Sequence, residues 1–203
     1  MLDSTMRRLI DPPLNAAAAA IGTKISANQI TIGGFLLGLV CCYAVAQGMF
    51  AAALIFLLLN RLADGLDGAV ARQTAPSALG AYIDIVSDFL LWALLPLAFL
   101  FYDTKNAFAA AILLSSFAMS MTVFLAFAIM AEKKGLKSQA QGKKHFFYLS
   151  GLAEGTETIG FFVFVMLFPA YFSVGAMVFA LIVGVSVIGR ILAALSSLTQ
   201  SKE

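Results

Sequence analysis

Polar and apolar positions alternate along the chain on the scale of whole helices. Apolar stretches of membrane-crossing length, about 20 residues each, are separated by short polar breaks. The pattern predicts spans over residues 26–47, 49–72, 79–102, 107–130, 147–168 and 172–195. The second span is the unusual one. Its unbroken apolar run covers only 49–59, too short to cross, so the helix must continue through Asn60, Asp64 and Asp67 to Arg72. The expected fold is an all-α integral membrane protein of six transmembrane helices. Residues 1–24 mix Arg7, Arg8, Asp11, Pro12 and Pro13 with an alanine run, which predicts a short amphipathic helix at the membrane interface. The prolines and weak apolar core speak against a signal peptide. The expected organisation is a juxtamembrane segment over 1–24, a transmembrane domain over 25–198 and a tail over 199–203.

Composition agrees. The chain is 61% hydrophobic and 12% charged, with mean hydropathy +0.93; a soluble domain carries about 25% charged residues. The net charge of +2 says less than the placement of the charges. Six spans put both termini on one side. Arg7, Arg8, Lys24, Arg72, Lys133, Lys134, Lys137, Lys143, Lys144 and Lys202 then share that side, and Lys105 lies opposite. The positive-inside rule makes the basic side cytoplasmic. Cys41 and Cys42 are adjacent in an apolar run and read as small packing residues. Gly34 with Gly38, and Gly151 with Gly155, have the spacing that lets helices approach closely. No internal repeat is visible.

Against this background four aspartates stand out. Asp64 and Asp67 are spaced i, i+3, and Asp84 and Asp88 i, i+4, so each pair shares a helix face. The turn near 76–80 makes the two helices antiparallel and lets the pairs face each other. An ionised aspartate at mid-membrane costs about 2.5–3.5 kcal/mol, so four cost up to about 10–14 kcal/mol. Either they lie near the interface or cations neutralise them: a metal, Arg61, Arg72. Hard oxygen ligands suit Mg²⁺, Mn²⁺ or Ca²⁺, and one or two such ions are expected. Helix caps and surface charges would be the plainer reading, but four acids in register are hard to explain as caps.

These residues carry a family resemblance. Asp64-x2-Asp67-Gly68-x2-Ala71-Arg72 followed by Gly80-x3-Asp84-x3-Asp88 resembles the signature of the CDP-alcohol phosphotransferases. The linker from Arg72 to Gly80 holds seven residues, against eight or more in the family. The resemblance implies a six-helix bundle, commonly homodimeric, with a polar cavity facing the cytoplasm. It implies transfer of a phosphatidyl group from CDP-diacylglycerol to the hydroxyl of a small acceptor, with release of CMP, in a bacterial cytoplasmic membrane. It implies Asp64, Asp67, Asp84 and Asp88 as ligands of Mg²⁺ or Mn²⁺, with two ions favoured, and Asp88 as general base. Asn28, Thr31, Asp64, Gly68, Arg72, Thr74, Ser77 and Gly80 are the expected contacts of the nucleotide and pyrophosphate. Gly68 has no Cβ to bar a close approach, and Arg72 offers a fork to phosphate.

The acceptor is less legible. Lys133, Lys134, Glu154, Glu157 and Arg190 are the candidates. The loop lysines equally suit an anchor on anionic lipid. Arg190 in a span calls for a partner, and Glu154 and Glu157 are the acids placed to provide one. His145 at the loop end reads as a surface residue. A phosphate-bearing alcohol such as glycerol 3-phosphate is the favoured acceptor. The expected partners are the CDP-lipid, that alcohol, membrane lipids and a second copy of the chain, but not nucleic acid. Two other readings compete: a CDP-choline or CDP-ethanolamine type of transferase with a lipid acceptor, and a divalent-cation transporter. A transporter site belongs near the midplane between repeated halves, whereas these acids cluster at one end of their spans. A membrane scaffold would leave the aspartate spacing unexplained.

Overall fold

Ser26 starts the first long helix of the bundle. Its side chain accepts from the Gln29 backbone N–H at 3.3 Å, and Gln29 Oε1 accepts from the Ser26 N–H at 2.9 Å. This reciprocal cap satisfies amide donors that a helix start leaves open. The structure, a computed structural model, describes residues 2–21, 24–134 and 155–199. It is helical throughout the described elements: α1 (Leu2–Ile21), α2 (Ala27–Ala46), α3 (Phe50–Gln73), α4 (Ala78–Tyr102), α5 (Ala107–Lys133), α6 (Gly155–Leu167) and α7 (Phe172–Thr199).

Among the described residues four helices are long and apolar enough to cross a membrane: α2, α4, α5 and α7. Helix α3 has the length, 24 residues, but carries the charged residues at its C-terminal end. Helix α6, described from Gly155, has 13 residues; the expected fifth span began at 147, and its first residues lie outside the described part. Leu36, Ile55, Phe108 and Leu181, on four different helices, are exposed on the outside of the bundle. In water such apolar exposure would be costly; against lipid it is neutral.

The core lies between α2, α3, α4, α5, α6 and α7. Leu57, Leu91, Leu95, Phe99, Leu113, Phe162 and Phe172 are fully buried in it. Phe99 stacks on Phe172 with ring centres 4.2 Å apart, and Phe161 on Phe179 at 4.7 Å. The phenylalanines of α6 divide: Phe161 and Phe162 enter the core, while Phe164 and Phe168 face outward.

Antiparallel alternation gives the bundle two ends. At one end Gly48, at φ 72°, turns α2 into α3, and Asn106 donates to the Phe99 carbonyl at 3.0 Å while accepting from Ser173 at 2.8 Å. At the other end lie the starts of α2, α4 and α6 and the ends of α3, α5 and α7. Helix α1 packs against this second end of α3. Leu14 and Ala18 meet Leu66, Ala69 and Val70, and Gln73 Nε2 donates to the Asn15 carbonyl at 3.0 Å. The expected short N-terminal helix runs 20 residues, with Pro12 and Pro13 inside it. Helix α2 makes the close backbone contacts with both α3 and α4. The two aspartate-bearing helices therefore meet chiefly through side chains, with α2 as their common support.

Candidate active site

Three helix ends converge on the aspartates. Gly34 of α2 faces Ala63 of α3 so closely that a Cβ on Gly34 would stand 2.8 Å from the Ala63 Cβ. That approach lets buried Asn60 donate from Nδ2 to the Gly34 carbonyl at 2.8 Å. The same economy of space joins α2 to α4. A Cβ on Gly80 would stand 2.9 Å from Asn28 Oδ1 and 3.1 Å from Ser77 Oγ. Ser77 is the N-cap of α4 and accepts from the Gly80 N–H at 3.0 Å.

Asp64, Asp67, Asp84 and Asp88 all line one cavity, with Thr31, Asn60 and Arg61 among its other walls. It has a volume of about 10 Å³, room for about one water-sized occupant. The helix-face argument from the spacing is therefore met in space: the two pairs share one site. Thr31, Asp67 and Asp84 also line a larger cavity of about 210 Å³, whose walls include Asn28, Gly68, Ser77 and Gly80. Of the expected nucleotide contacts, Thr74 ends α3 and donates to its own helix at the Val70 carbonyl, 2.9 Å. Arg72 is exposed, with Nη1 3.4 Å from the point a Cβ on Gly68 would take.

The charge within the site is held by Arg61. Its Nη2 donates to Asp88 Oδ1 at 2.8 Å and its Nη1 lies 3.6 Å from Asp64 Oδ2. Its Nε donates to Asn60 Oδ1 at 2.7 Å, and its guanidinium carbon stands 4.9 Å over the Trp92 ring. Trp92 stacks in turn on Phe162. The sequence offers Arg61 as a neutraliser of the aspartates, and the structure places it i, i+3 from Asp64. Nothing in the sequence ties it to Trp92, 31 positions on. Asp67 sits differently. It is 5% exposed and its Oδ2 is buried with no hydrogen-bond partner. A buried carboxylate oxygen in that state is costly unless a cation meets it. As the side chains stand, no three His, Cys, Asp or Glu residues among those described form a group that could hold a metal ion. The donor set itself, hard carboxylate oxygens with one left unpartnered, fits a divalent cation.

A third cavity, about 180 Å³, opens between α4, α5, α6 and α7. Trp92, Ser120, Thr158 and Arg190 are in its walls. Arg190 Nη1 donates to Ser120 Oγ at 2.9 Å, a contact that the expected pairing with Glu154 and Glu157 did not include. Glu157 lies half-buried in the first turn of α6. Lys134 donates from Nζ to the Leu198 carbonyl and so ties the end of α5 to the end of α7. Exposed Lys133 and Lys134 line none of these three cavities. Glu154, Lys137, Lys143, Lys144, His145 and Gly151 lie outside the described residues.

The sequence profile of the CDP-alcohol phosphatidyltransferase family matches residues 24–192. The inner membrane protein YnjF of Escherichia coli K12 is 40% identical over 181 residues, 88% of each chain. A phosphatidylcholine synthase of Pseudomonas aeruginosa is 31% identical over 94 residues, 44% of this chain and 37% of that one. Among solved structures, the phosphatidylinositol phosphate synthase of Mycobacterium tuberculosis with CDP-DAG bound superposes with a TM-score of 0.60 at 17% identity, covering 90% of this chain and 92% of that one. That last likeness is one of fold.

Proposed function

The chain belongs to the CDP-alcohol phosphatidyltransferase family, and on that premise we propose that it transfers a phosphatidyl group from CDP-diacylglycerol to the hydroxyl of a small polar acceptor, releasing CMP. The observation that carries this reading is the convergence of Asp64, Asp67, Asp84 and Asp88 on one cavity that shares three walls with a larger one. The larger cavity is assigned to the cytidine and pyrophosphate, with Asn28, Thr31, Gly68, Ser77 and Gly80 as its contacts. Arg72, exposed beside Gly68, is positioned to fork a phosphate oxygen. Asp64, Asp67, Asp84 and Asp88 are assigned to hold Mg²⁺ or Mn²⁺, which when bound would offset the charge that gathers on the phosphate oxygens.

Asp88 is assigned as the base. It accepts the proton of the acceptor hydroxyl as that oxygen bonds to the lipid-side phosphorus. The bond from this phosphorus to the bridging oxygen breaks, and CMP leaves with the electron pair. The ion pair with Arg61 keeps Asp88 oriented before the acceptor arrives. The acceptor is assigned to the third cavity, where Arg190, Ser120 and Thr158 suit a phosphate-bearing alcohol.

The bundle is read as six spans, with α3 and α6 completing the four apolar helices over a catalytic domain of 25–198, and residues 199–203 as its tail. Helix α1 belongs to the juxtamembrane segment 1–24 and lies at the interface, supported by its packing on the charged end of α3. Both termini and the site face the cytoplasm of a bacterial inner membrane, and the chain works as a homodimer.

The test is CMP release from CDP-diacylglycerol by the purified protein with Mg²⁺ or Mn²⁺. Glycerol 3-phosphate, inositol 1-phosphate, inositol, serine and choline are offered as acceptors. Release that depends on one acceptor and stops with a chelator supports the reading and names the substrate. Release only from CDP-choline or CDP-ethanolamine with a lipid acceptor would replace the donor. No release from any CDP-linked donor would remove the catalytic reading.

A further inference from the structure

We infer that Leu14 of α1 is a positioning residue for the donor site: seated where Gly65 has no Cβ, it sets how α3 meets the start of α2 at the larger cavity. This inference rests on the assignment of that cavity to the CDP-linked donor. The end of α3 has two faces. Asp64, Asp67, Gly68 and Ala71 follow the i, i+3, i+4, i+7 pattern of one face, and the last three line the larger cavity. Leu66, Ala69, Val70 and Gln73 fall on the opposite side at 3.6 residues per turn, and there they meet α1. Gly65 lies at the border between the two. A Cβ on it would stand 2.6 Å from Leu14 Cδ1, closer than the 2.8 Å approach of Gly34 to Ala63. Glycine inside a helix is less favourable than alanine, and the space its missing side chain leaves is the seat of Leu14. The same packing reaches α2. Ala18, 2% exposed, is enclosed with Ala69 and Val70, and Leu14, Ala27 and Ile30 pack against them. Ala27 also lines the larger cavity, next to Asn28 and Thr31. The apolar cluster under α1 is therefore the back of a wall whose front is the donor cavity, and it joins the two helices that build that wall. Gln73 fixes the level of α1 by donating to the Asn15 carbonyl, beside Leu14, at 3.0 Å. Close-packed interiors transmit displacement, so a shift at the seat moves the donor wall. The third cavity takes its described walls from α4, α5, α6 and α7 and has none from α1, α2 or α3.

The test moves volume across this contact. Gly65→Val adds to α3 as many carbons as Leu14→Ala removes from α1. Each single variant overfills or empties the seat, and the double variant conserves its volume. CMP release by the purified full chain in detergent micelles with Mg²⁺ gives KM for CDP-diacylglycerol and for the acceptor. Calorimetry gives the Kd of CMP without turnover, and thermal unfolding checks that each variant is folded. In Gly65→Val the KM for the CDP-lipid and the Kd of CMP should rise by about tenfold or more, the scale on which a displacement of about 1 Å is felt. The KM for the acceptor should hold. In the double variant both donor constants should return to within about twofold of the wild type. Unchanged donor constants in folded Gly65→Val would overturn the inference. So would donor and acceptor constants that rise together, the mark of a general loosening, or a double variant no better than Gly65→Val. If Gly65→Val does not fold, Leu14→Ala is decisive alone: a loss confined to the donor constants supports the inference, and unchanged constants overturn it. A wild type that neither binds CMP nor releases it from any CDP-linked donor would remove the donor assignment itself, a different failure with a different signature.

Discussion

Asp67 and Asp88 share a cavity but differ in company, and replacing each should have a different consequence. Asp67 is buried with one oxygen unpartnered, so its negative charge burdens the metal-free fold. Asp67→Asn keeps the shape and removes the charge. CMP release should fall by about 1,000-fold or more, since a ligand to the reacting centre is lost. The unfolding midpoint in the absence of metal should hold or rise. Asp88 balances Arg61 at 2.8 Å. Asp88→Asn should also abolish turnover, but it leaves a guanidinium buried with one fewer counter-charge. A loss of about 1–2 kcal/mol is expected, below the range for a fully buried pair because Asp88 is partly exposed. Midpoints that move together in the two variants would show that the asymmetry between the carboxylates is not real.

At the scale of the helices, contact is set by glycine, and two glycines separate packing from catalysis. Gly34→Ala drives a methyl to 2.8 Å from the Ala63 Cβ. Neither helix can give way by rotating a side chain, so α2 and α3 must part, at a cost of about 1–3 kcal/mol. The Gly34 carbonyl that holds Asn60 moves with them, so metal binding and CMP release should weaken as well. Gly48→Ala places an alanine at φ 72° near Tyr102, at the far end. It should cost about 1–2 kcal/mol and leave the KM for the CDP-lipid unchanged. Measuring midpoint and KM for both variants checks the pair. The helices themselves were legible in the sequence, because apolar length and the Gly48 and 102–107 breaks mark their ends. The gathering of the four aspartates at one cavity was legible too, since i, i+3 and i, i+4 spacings place side chains on a face whatever the tertiary structure. What was not legible is what crosses between distant helices. The Trp92 support of Arg61, the hold of Asn60 on α2, the tie from Lys134 to Leu198 and the role of α2 as common support of α3 and α4 depend on which faces meet. A periodic pattern names a face but not its neighbour.

At the scale of the whole molecule, the proposed chemistry requires that the aspartate end face the compartment that holds nucleotides. The charges argue for that orientation. Lys24, Arg72, Lys133 and Lys134 lie at the end where the aspartates are, and Lys105 lies at the other. Basic residues are retained on the cytoplasmic side. Lys24 and Lys105 are both exposed and sit beside helix ends, so either accepts a cysteine with little strain. The native Cys41 is buried and Cys42 half-buried within α2, which keeps them from a charged, membrane-impermeant maleimide. Intact bacterial cells expressing Lys105→Cys should therefore label at once. Cells expressing Lys24→Cys should label only after the membrane is opened. The reverse pattern would put the aspartates on the side away from cytoplasmic nucleotide. A CDP-linked donor made inside the cell could then not be the substrate, however well the carboxylates are arranged. The orientation, more than any single residue, is thus the condition on which the assigned reaction depends.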